Sequence, residues 1–243
     1  MNDPTAHQLK EPQYVPPDER RSQAKALRDA VPREVHGHWK PANDRRDIVD
    51  LLNESNEGRM EQLVPIRFGR MMQSPFTFYR GSAAIMAADL ASTPVSGIRV
   101  QACGDAHLSN FGGFATPERR IVFDINDFDE TLPAPWEWDL KRLTASVVVA
   151  GRQIRLSESD AARAARATVR SYRERTSDYA STRALDVWYD AISVDRFLKE
   201  MDSAERRERI RQRLDRIQDK NVPEFLSSPS IAGACPGSRT IRR

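Results

Sequence analysis

A polar loop followed by a short apolar hairpin constrains this chain more than any other feature. The loop is Gly104-Asp105-Ala106-His107-Leu108-Ser109-Asn110, and a second polar run closes the segment that extends from Val122 to Glu130. Residues 111–115 and 120–126 are apolar stretches on either side of Thr116-Pro117-Glu118, which is the pattern of a β-hairpin. We therefore expect the loop and the second polar run to meet at one end of this hairpin.

The loop and the second polar run carry the oxygen atoms that a phosphoryl-transfer site requires. Such a site needs a carboxylate that accepts the proton of the attacking hydroxyl, and oxygen ligands that hold magnesium. Asp105 stands five residues before Asn110, so one tight loop brings both groups together. Asp105 then fits the catalytic role, while Asn110 with Asp127 or Asp124 fits the magnesium site. His107 is expected to shape the loop through hydrogen bonds.

Two short motifs resemble elements of the kinase-like superfamily. Asp127-Phe128-Asp129 resembles the Asp-Phe-Gly or Asp-Phe-Asp element of small-molecule kinases, which favours Asp127 over Asp124 as the magnesium ligand. Twelve residues after Asp127, Asp139 is similar to an aspartate that braces the catalytic loop in aminoglycoside- and choline-kinase-like proteins. The resemblance implies Mg²⁺ and ATP as cofactors, and a small-molecule or protein hydroxyl as the acceptor of the phosphoryl group.

Arg80 is a further candidate site residue, expected to bind a phosphate of the nucleotide. The guanidinium group donates two parallel hydrogen bonds, which suits phosphate geometry. The alternative is a structural arginine that pairs with a core carboxylate such as Asp89 or Asp139. The sequence leaves both interpretations open.

Six motifs between about Leu63 and Asp195 are long enough to indicate a family. They are Pro65-Ile66-Arg67-Phe68-Gly69-Arg70-Met71, Ser74-Pro75-Phe76-Thr77-Phe78-Tyr79-Arg80-Gly81, Cys103 through Asn110, Val122 through Thr131, Pro135-Trp136-Glu137-Trp138-Asp139-Leu140-Lys141-Arg142-Leu143, and Leu185-Asp186-Val187-Trp188-Tyr189. Through these motifs the chain resembles the bacterial domain-of-unknown-function family 2252. This resemblance by itself implies no established activity.

The family resemblance also implies a longer protein than this chain. Its members are usually much longer, and their additional part carries a glycine-rich segment and a lysine-bearing strand that are similar to a nucleotide-binding lobe. The present chain contains neither G-x-G-x-x-G nor a P-loop. From about Asn221 onward it no longer resembles the family, so we expect a C-terminally truncated member.

Composition restricts the compartment and the partners. Apolar residues make up 39% of 243 residues, and charged residues make up 30%, as in soluble domains. The net charge is only +3, which argues against dedicated nucleic-acid binding. The sequence has no apolar run of membrane-spanning length and no signal-peptide core, so we expect a cytoplasmic protein without a membrane partner. Its two cysteines form neither a disulfide framework nor a zinc pattern, and the oligomeric state is not indicated.

The periodicity of apolar residues predicts an α+β, mainly helical protein with a short central hairpin. The resemblance of the loop motifs implies that this protein is a kinase-like catalytic-lobe fragment. We divide it into a loosely ordered polar leader at 1–43, a partial family 2252-like domain at 44–220 and a divergent tail at 221–243. A strand is expected at 98–102. The predicted helices cover residues 46–62, 63–72, 82–90, 137–154, 157–178, 185–192, 193–201 and 203–220.

Two other functions are compatible with the same residues. Asp, Asn and Gly are common in ordinary turns, so the chain can be an inactive remnant or an interaction module. The run Asp105-Ala106-His107 also suits a metal-dependent phosphoesterase. Such an enzyme needs several histidine ligands, whereas the chain has four histidines, three of them in the leader.

Overall fold

The computed structural model describes residues 15–118, 120–199, 201 and 203–219. The helices are α1 (Pro17–Ala30), α2 (Ile48–Glu54), α3 (Val64–Met71), α4 (Pro75–Arg80), α5 (Ala83–Ala91), α6 (Trp136–Gln153), α7 (Glu158–Tyr179), α8 (Ala184–Tyr189), α9 (Val194–Lys199) and α10 (Ala204–Asp219). The strands are β1 (Arg99–Ala102), β2 (Phe111–Ala115), β3 (Ile121–Ile125), β4 (Leu132–Pro135) and β5 (Ile192–Ser193). This content confirms the predicted α+β, mainly helical class.

The chain forms two compact units. The first contains the described residues up to Gly112 together with Ile125–Asp190, and the second contains Gly113–Asp124 and the described residues from Ala191 onward. In the first unit, β1 pairs antiparallel with β4, and α6 packs along α7. In the second unit, β3 pairs antiparallel with β5, and the rings of Phe123 and Phe197 stack with centroids 4.8 Å apart.

A small apolar core joins α2, α3 and α5 of the first unit. Leu51 and Leu52 on α2 are buried together with Met71 on α3 and Ile85 on α5, and Phe68 packs against them. The helix predicted over 46–62 is shorter in the structure. Helix α2 begins after the Asp47 cap and ends at Glu54. Helix α3 agrees with the prediction and has its proline in the first turn, where the missing N–H costs no hydrogen bond.

Strand β4 was not predicted, because its sequence Leu132-Pro133-Ala134-Pro135 reads as a helix breaker. Proline lacks the N–H of a sheet ladder and is confined to edges and strand ends. A two-stranded sheet consists only of edge strands, so β4 accommodates both prolines opposite Gln101 and Arg99 of β1. Helix α6 then starts directly at Trp136.

The buried face of α6 is polar, contrary to the sequence prediction. We expected Leu140, Leu143, Val147 and Val148 to point inward, but these side chains are only half-buried. The buried residues of this helix are Glu137, Arg142, Ser146 and Gly151. The polar loop packs on this face, so α6 presents hydrogen-bonding groups to it rather than an apolar stripe.

The remaining predictions agree with the structure in type but less well in length. The hairpin, the strand before the loop and the helix capped by Ser157 are confirmed. The predicted helix 185–192 ends at Tyr189, because Ile192–Ser193 form β5 instead. Helix α1 lies within the predicted leader, and the tail at 221–243 lies outside the described residues. Among the described residues, no helix is both long and apolar enough to cross a membrane.

Candidate functional site

The polar loop leaves the end of β1 through Gly104, a position that only glycine fits. Its φ angle is +83°, in the left-handed region that side chains disfavour. A Cβ atom at Gly104 would lie 2.0 Å from the backbone carbonyl oxygen of Glu130. The segment after Asp127 therefore lies directly against the loop, and the loop keeps this conformation only with glycine at its start.

Asp139 in the first turn of α6 holds the start of the loop. The N–H of Cys103 donates to Asp139 Oδ2 at 2.7 Å, and the N–H of Gly104 donates to Asp139 Oδ1 at 3.0 Å. Both carboxylate oxygens thus accept backbone hydrogen bonds from the two residues before Asp105. Hydrogen bonds to a charged acceptor are stronger than neutral ones, so this contact fixes the backbone that presents Asp105.

Asn110 ties the far end of the loop to the second polar run. Its Nδ2 donates to the backbone oxygens of Asp105 and Asp127, at 3.1 Å and 3.0 Å. Its Oδ1 accepts the N–H of Asp127 at 2.9 Å. With only 4% of its surface exposed, Asn110 pairs with the Asp127 backbone in both directions. One lone pair of Oδ1 remains beyond that hydrogen bond.

Arg142 on α6 binds the side chain of Asp105, and sequence reasoning missed it. The guanidinium Nε donates to Asp105 Oδ1 at 2.6 Å, and Nη2 contacts the same oxygen. Arg142 is 2% exposed. A buried charge requires a partner, and Asp105 supplies it. The sequence did contain one indication of this contact. Asp139 and Arg142 are three residues apart, so they share the face of α6 that meets the loop.

Tyr79 completes the surroundings of Arg142. Arg142 Nη2 donates to the backbone oxygen of Tyr79 at 2.9 Å, and the Tyr79 hydroxyl donates to the backbone oxygen of Arg142 at 2.8 Å. The guanidinium lies 4.5 Å from the centroid of the Tyr79 ring, a cation–π arrangement. Burial, with a smaller contribution from the charge of Asp105, raises the pKa of Tyr79 to about 12. The hydroxyl therefore stays protonated and remains a hydrogen-bond donor.

His107 is buried beside Asp105 and is neutral at pH 7. Its Nε2 lies 3.5 Å from Asp105 Oδ2, and Phe76 contacts the ring edge-on at 6.3 Å between centroids. Burial lowers the pKa of His107; the charge of Arg142 acts in the same direction, while Asp105 opposes it. Its buried Nδ1 has no hydrogen-bond partner among the described residues. The contact with Asp105 is thus not an ion pair at neutral pH.

Ser146 gives α6 another contact with the loop. Its Oγ accepts the N–H of Leu108 at 2.9 Å and donates to the backbone oxygen of Leu143 at 2.6 Å. The side chain is completely buried. Asp139, Arg142 and Ser146 follow one another at spacings of three and four residues, so one face of α6 holds the segment from Cys103 to Leu108.

The two candidate metal-binding aspartates lie in different units. Asp127 is exposed in the first unit, and its Oδ1 accepts the N–H of Asp129 at 3.2 Å. Asp124 lies on β3, in the second unit. No group of three or more His, Cys, Asp or Glu side chains that could hold a metal ion occurs among the described residues. The oxygens of Asp127 and Asn110 are nevertheless ligands of the kind that magnesium takes alongside water.

Arg80 lies at the exposed end of α4. The structural partners considered from sequence are occupied by other groups. Arg45 binds Asp89 through two hydrogen bonds of 2.6 Å and 2.8 Å, and the loop backbone binds Asp139. The charge of Arg80 helps to lower the pKa of His107, so Arg80 acts on the loop electrostatically.

Comparison with known proteins places the chain in a family. No curated protein and no solved structure matches it. A family model described as an uncharacterized protein conserved in bacteria, DUF2252, matches residues 59–232. The match covers the loop, the hairpin and α6, and it extends past Asn221, where we expected the resemblance to end. Because the matched range is well over half of the sequence, the chain belongs to the DUF2252 family.

Proposed function

We propose that this chain carries the catalytic loop of a magnesium-dependent phosphotransferase that uses ATP and a hydroxyl acceptor. One observation carries the proposal: the peptide units on both sides of Asp105 are immobilised by side chains. Asp139 binds the two preceding N–H groups, and Asn110 binds the carbonyl of Asp105 itself. Catalysis of phosphoryl transfer depends chiefly on positioning and charge stabilisation, which such a loop supports.

The contacts of the loop support a distinct role for Asp105 and His107, and exposure leaves Asp127 and Arg80 open to a ligand. Arg142 binds Asp105 Oδ1, so Oδ2 is the oxygen that would accept the hydrogen bond of an acceptor hydroxyl. Neutral His107 lies beside this oxygen without adding a positive charge. The Asp127 carboxylate would hold magnesium together with water, and Arg80 would bind phosphate. Magnesium, when bound, would supply charge neutralisation for the transferred phosphoryl group.

The rival functions have less support. A phosphoesterase that uses two metal ions needs more ligands than the Asp105 and His107 pair, and the described residues offer no such group. An inactive relative would keep the hydrogen bonds of the loop but would not respond to nucleotide. Nucleotide binding therefore distinguishes the proposed function from an inactive module.

Thermal unfolding with and without Mg-ATP is the first test. A ligand that binds only the folded protein raises the unfolding midpoint by mass action. We expect Mg-ATP to raise the midpoint of the wild type, and Asp127→Asn to reduce this rise. The matched control is Asp18→Asn, an equal change on exposed α1. Absence of a magnesium-dependent rise in the wild type would contradict the proposal for this chain.

The catalytic assignment needs a second measurement. Transfer of the terminal phosphoryl group of ATP to water or to an added alcohol can be followed by the formation of ADP. Asp105→Asn keeps the shape of the side chain but removes its charge, and we expect it to abolish transfer while Mg-ATP binding is retained. Full turnover by this variant would refute the role of Asp105.

A further inference from the structure

Four exposed arginines form a stripe along the solvent side of α7. This arginine stripe consists of Arg163, Arg166, Arg170 and Arg173. Spacings of three and four residues keep the four side chains within an arc of about 80° over about 15 Å of the helix axis. The segment 161–173 contains neither an acidic residue nor a lysine. Positive charge is therefore concentrated on this face, although the net charge of the whole chain is only +3.

The arginine stripe lies opposite the face of α7 that packs on α6. On that packed face Ala161 is 1% exposed, and the ring of Tyr172 stacks on Trp136 with centroids 5.7 Å apart. In a helical projection, Ala161 and Tyr172 lie about 150° from the centre of the stripe. Packing of α7 on α6 therefore does not account for the arginines.

The charges of the arginine stripe are only partly compensated. Its first and last arginines contact Asp160 and Glu174, at 2.5 Å and 3.5 Å. The two arginines between them, Arg166 and Arg170, form no ion pair with any other described residue. They are four residues apart, and like charges at this spacing destabilise a helix. An anion bound between them would remove this repulsion.

We infer that the arginine stripe binds the phosphate backbone of double-stranded nucleic acid, without reading its base sequence. Every basic residue of α7 is an arginine, the side chain that donates two parallel hydrogen bonds to a phosphate. One strand of a duplex presents a phosphate about every 3.4 Å along the axis, so a stripe of about 15 Å spans about four phosphates. The four arginines match this number. Nothing in this inference requires phosphoryl transfer, so it is independent of the proposed function.

Other polyanions fit the arginine stripe less well. Proteins bind single strands largely by stacking the bases on aromatic side chains, and the stripe contains no aromatic residue. A helix that lies on an anionic membrane inserts a broad apolar face into it. The apolar face of α7 is already packed on α6. A duplex needs neither feature, because its phosphates are contacted from outside.

Fluorescence anisotropy with a labelled DNA duplex of about 20 base pairs tests the inference, in the absence of nucleotide and magnesium. We expect saturable binding with a micromolar Kd at low salt, equal for two duplexes of unrelated sequence. A plot of log K against log salt concentration should have a slope of about −3 to −4, because each of four phosphate contacts contributes about −0.9. Absence of saturable binding at about 100 μM protein and low salt would overturn the inference.

A double variant localises the binding to the arginine stripe. Arg166→Gln with Arg170→Gln should weaken binding and make the salt slope shallower by about two, because two phosphate contacts are lost. Arg20→Gln with Arg21→Gln removes the same charge from exposed α1 and should leave the slope unchanged. All four positions are exposed, so the circular dichroism spectrum should stay the same in both variants. Equal losses in the two variants would overturn the inference, because binding would then follow the net charge and not the stripe.

Competition identifies the class of partner. Phosphatidylserine vesicles and polyglutamate are polyanions without a duplex backbone, and we expect both to bind more weakly than the duplex at the same salt concentration. Tighter binding of either one than of the duplex would refute nucleic acid as the partner of the arginine stripe.

Discussion

Charged pairs in two regions of the first unit differ in how much they can contribute to the stability of the fold. The Asp105–Arg142 pair is inside the protein, with side-chain exposures of 20% and 3%. On α7 the Asp160–Arg163 pair has exposures of 37% and 74%. A buried charge without a partner is strongly destabilising, whereas an exposed pair is screened by water. The same residue types therefore organise the loop in one place and add little to the stability of the fold in the other.

The largest effect is expected from removing Arg142. Arg142→Ala leaves the Asp105 carboxylate without its cation and removes one of the hydrogen bonds to the Tyr79 carbonyl. Breaking a buried pair typically costs about 3–5 kcal/mol. Urea denaturation measures this loss as a lower unfolding midpoint. Arg142→Lys keeps the charge but not the planar fork, and we expect it to recover only part of the stability.

A midpoint unchanged by Arg142→Ala would show that the pair contributes nothing and would remove the contrast between the two regions.

The second largest effect is expected at the glycine that begins the loop. Gly104→Ala places a Cβ against the Glu130 carbonyl and in a left-handed backbone. Strain of the backbone and the forced displacement together should cost about 3 kcal/mol. Gly37→Ala is the control, since a Cβ there meets no atom within 4 Å and its φ is not positive. Equal midpoints for the two variants would mean that the contact with Glu130 is not maintained.

A smaller effect is expected from the pH dependence of His107. Burial lowers its pKa in the folded protein, so the unfolded chain binds the proton more readily. Stability should be complete above the unfolded pKa of about 6.5 and should fall as the pH drops below that value. Denaturation at pH 7.5 and at pH 5.5 measures the difference.

His107→Gln should reduce this loss on acidification. His36, whose pKa is also lowered by burial, should contribute in the same pH range, so His36→Gln provides the comparison. If His107→Gln loses as much stability on acidification as the wild type, the histidine is not held neutral by its surroundings.

The smallest effect is expected on α7. Arg163→Ala removes a pair that lies in water, so the urea midpoint should not change measurably. A loss comparable to that of Arg142→Ala would show that burial does not separate the two regions. Added salt should not change the order of the urea midpoints of Arg142→Ala and Arg163→Ala. Salt screens mainly the attraction within the exposed Asp160–Arg163 pair.

Local patterns predicted much of the fold. The hairpin, β1, α3 and α7 follow from apolar periodicity and from turn or cap residues that act within a few positions of the chain. Strand β4 was not predicted from local patterns, because prolines normally interrupt strands and helices. Their place in β4 can be recognised only when the partner strand is known. The inward face of α6 was also misassigned, because apolar residues are expected to be buried unless a polar partner is identified.

For the candidate site, the sequence pointed to Asp105 and Asn110 through their spacing, and to Asp127 and Asp139 through their resemblance to kinase-like motifs. It did not predict what Asn110 binds, since the backbone of Asp127 approaches only when the hairpin closes. Arg142 and Ser146 were missed for a related reason. Their partners in the loop lie 37 and 38 residues away along the chain. Spacing along α6 can place both residues on the face of Asp139, but it cannot identify these distant partners.

The sequence by itself determined the class of the protein, its family and the polar loop with its glycine, because these depend on composition, periodicity and local motifs. The tertiary structure alone decided that Asp105 faces a buried arginine and that Asn110 binds backbone. Those outcomes depend on which distant groups meet and on how far water is excluded from them. Burial sets the strength of the interaction between two charges, because it lowers the effective dielectric constant around them. Burial is a property of the folded chain and cannot be read from the sequence alone.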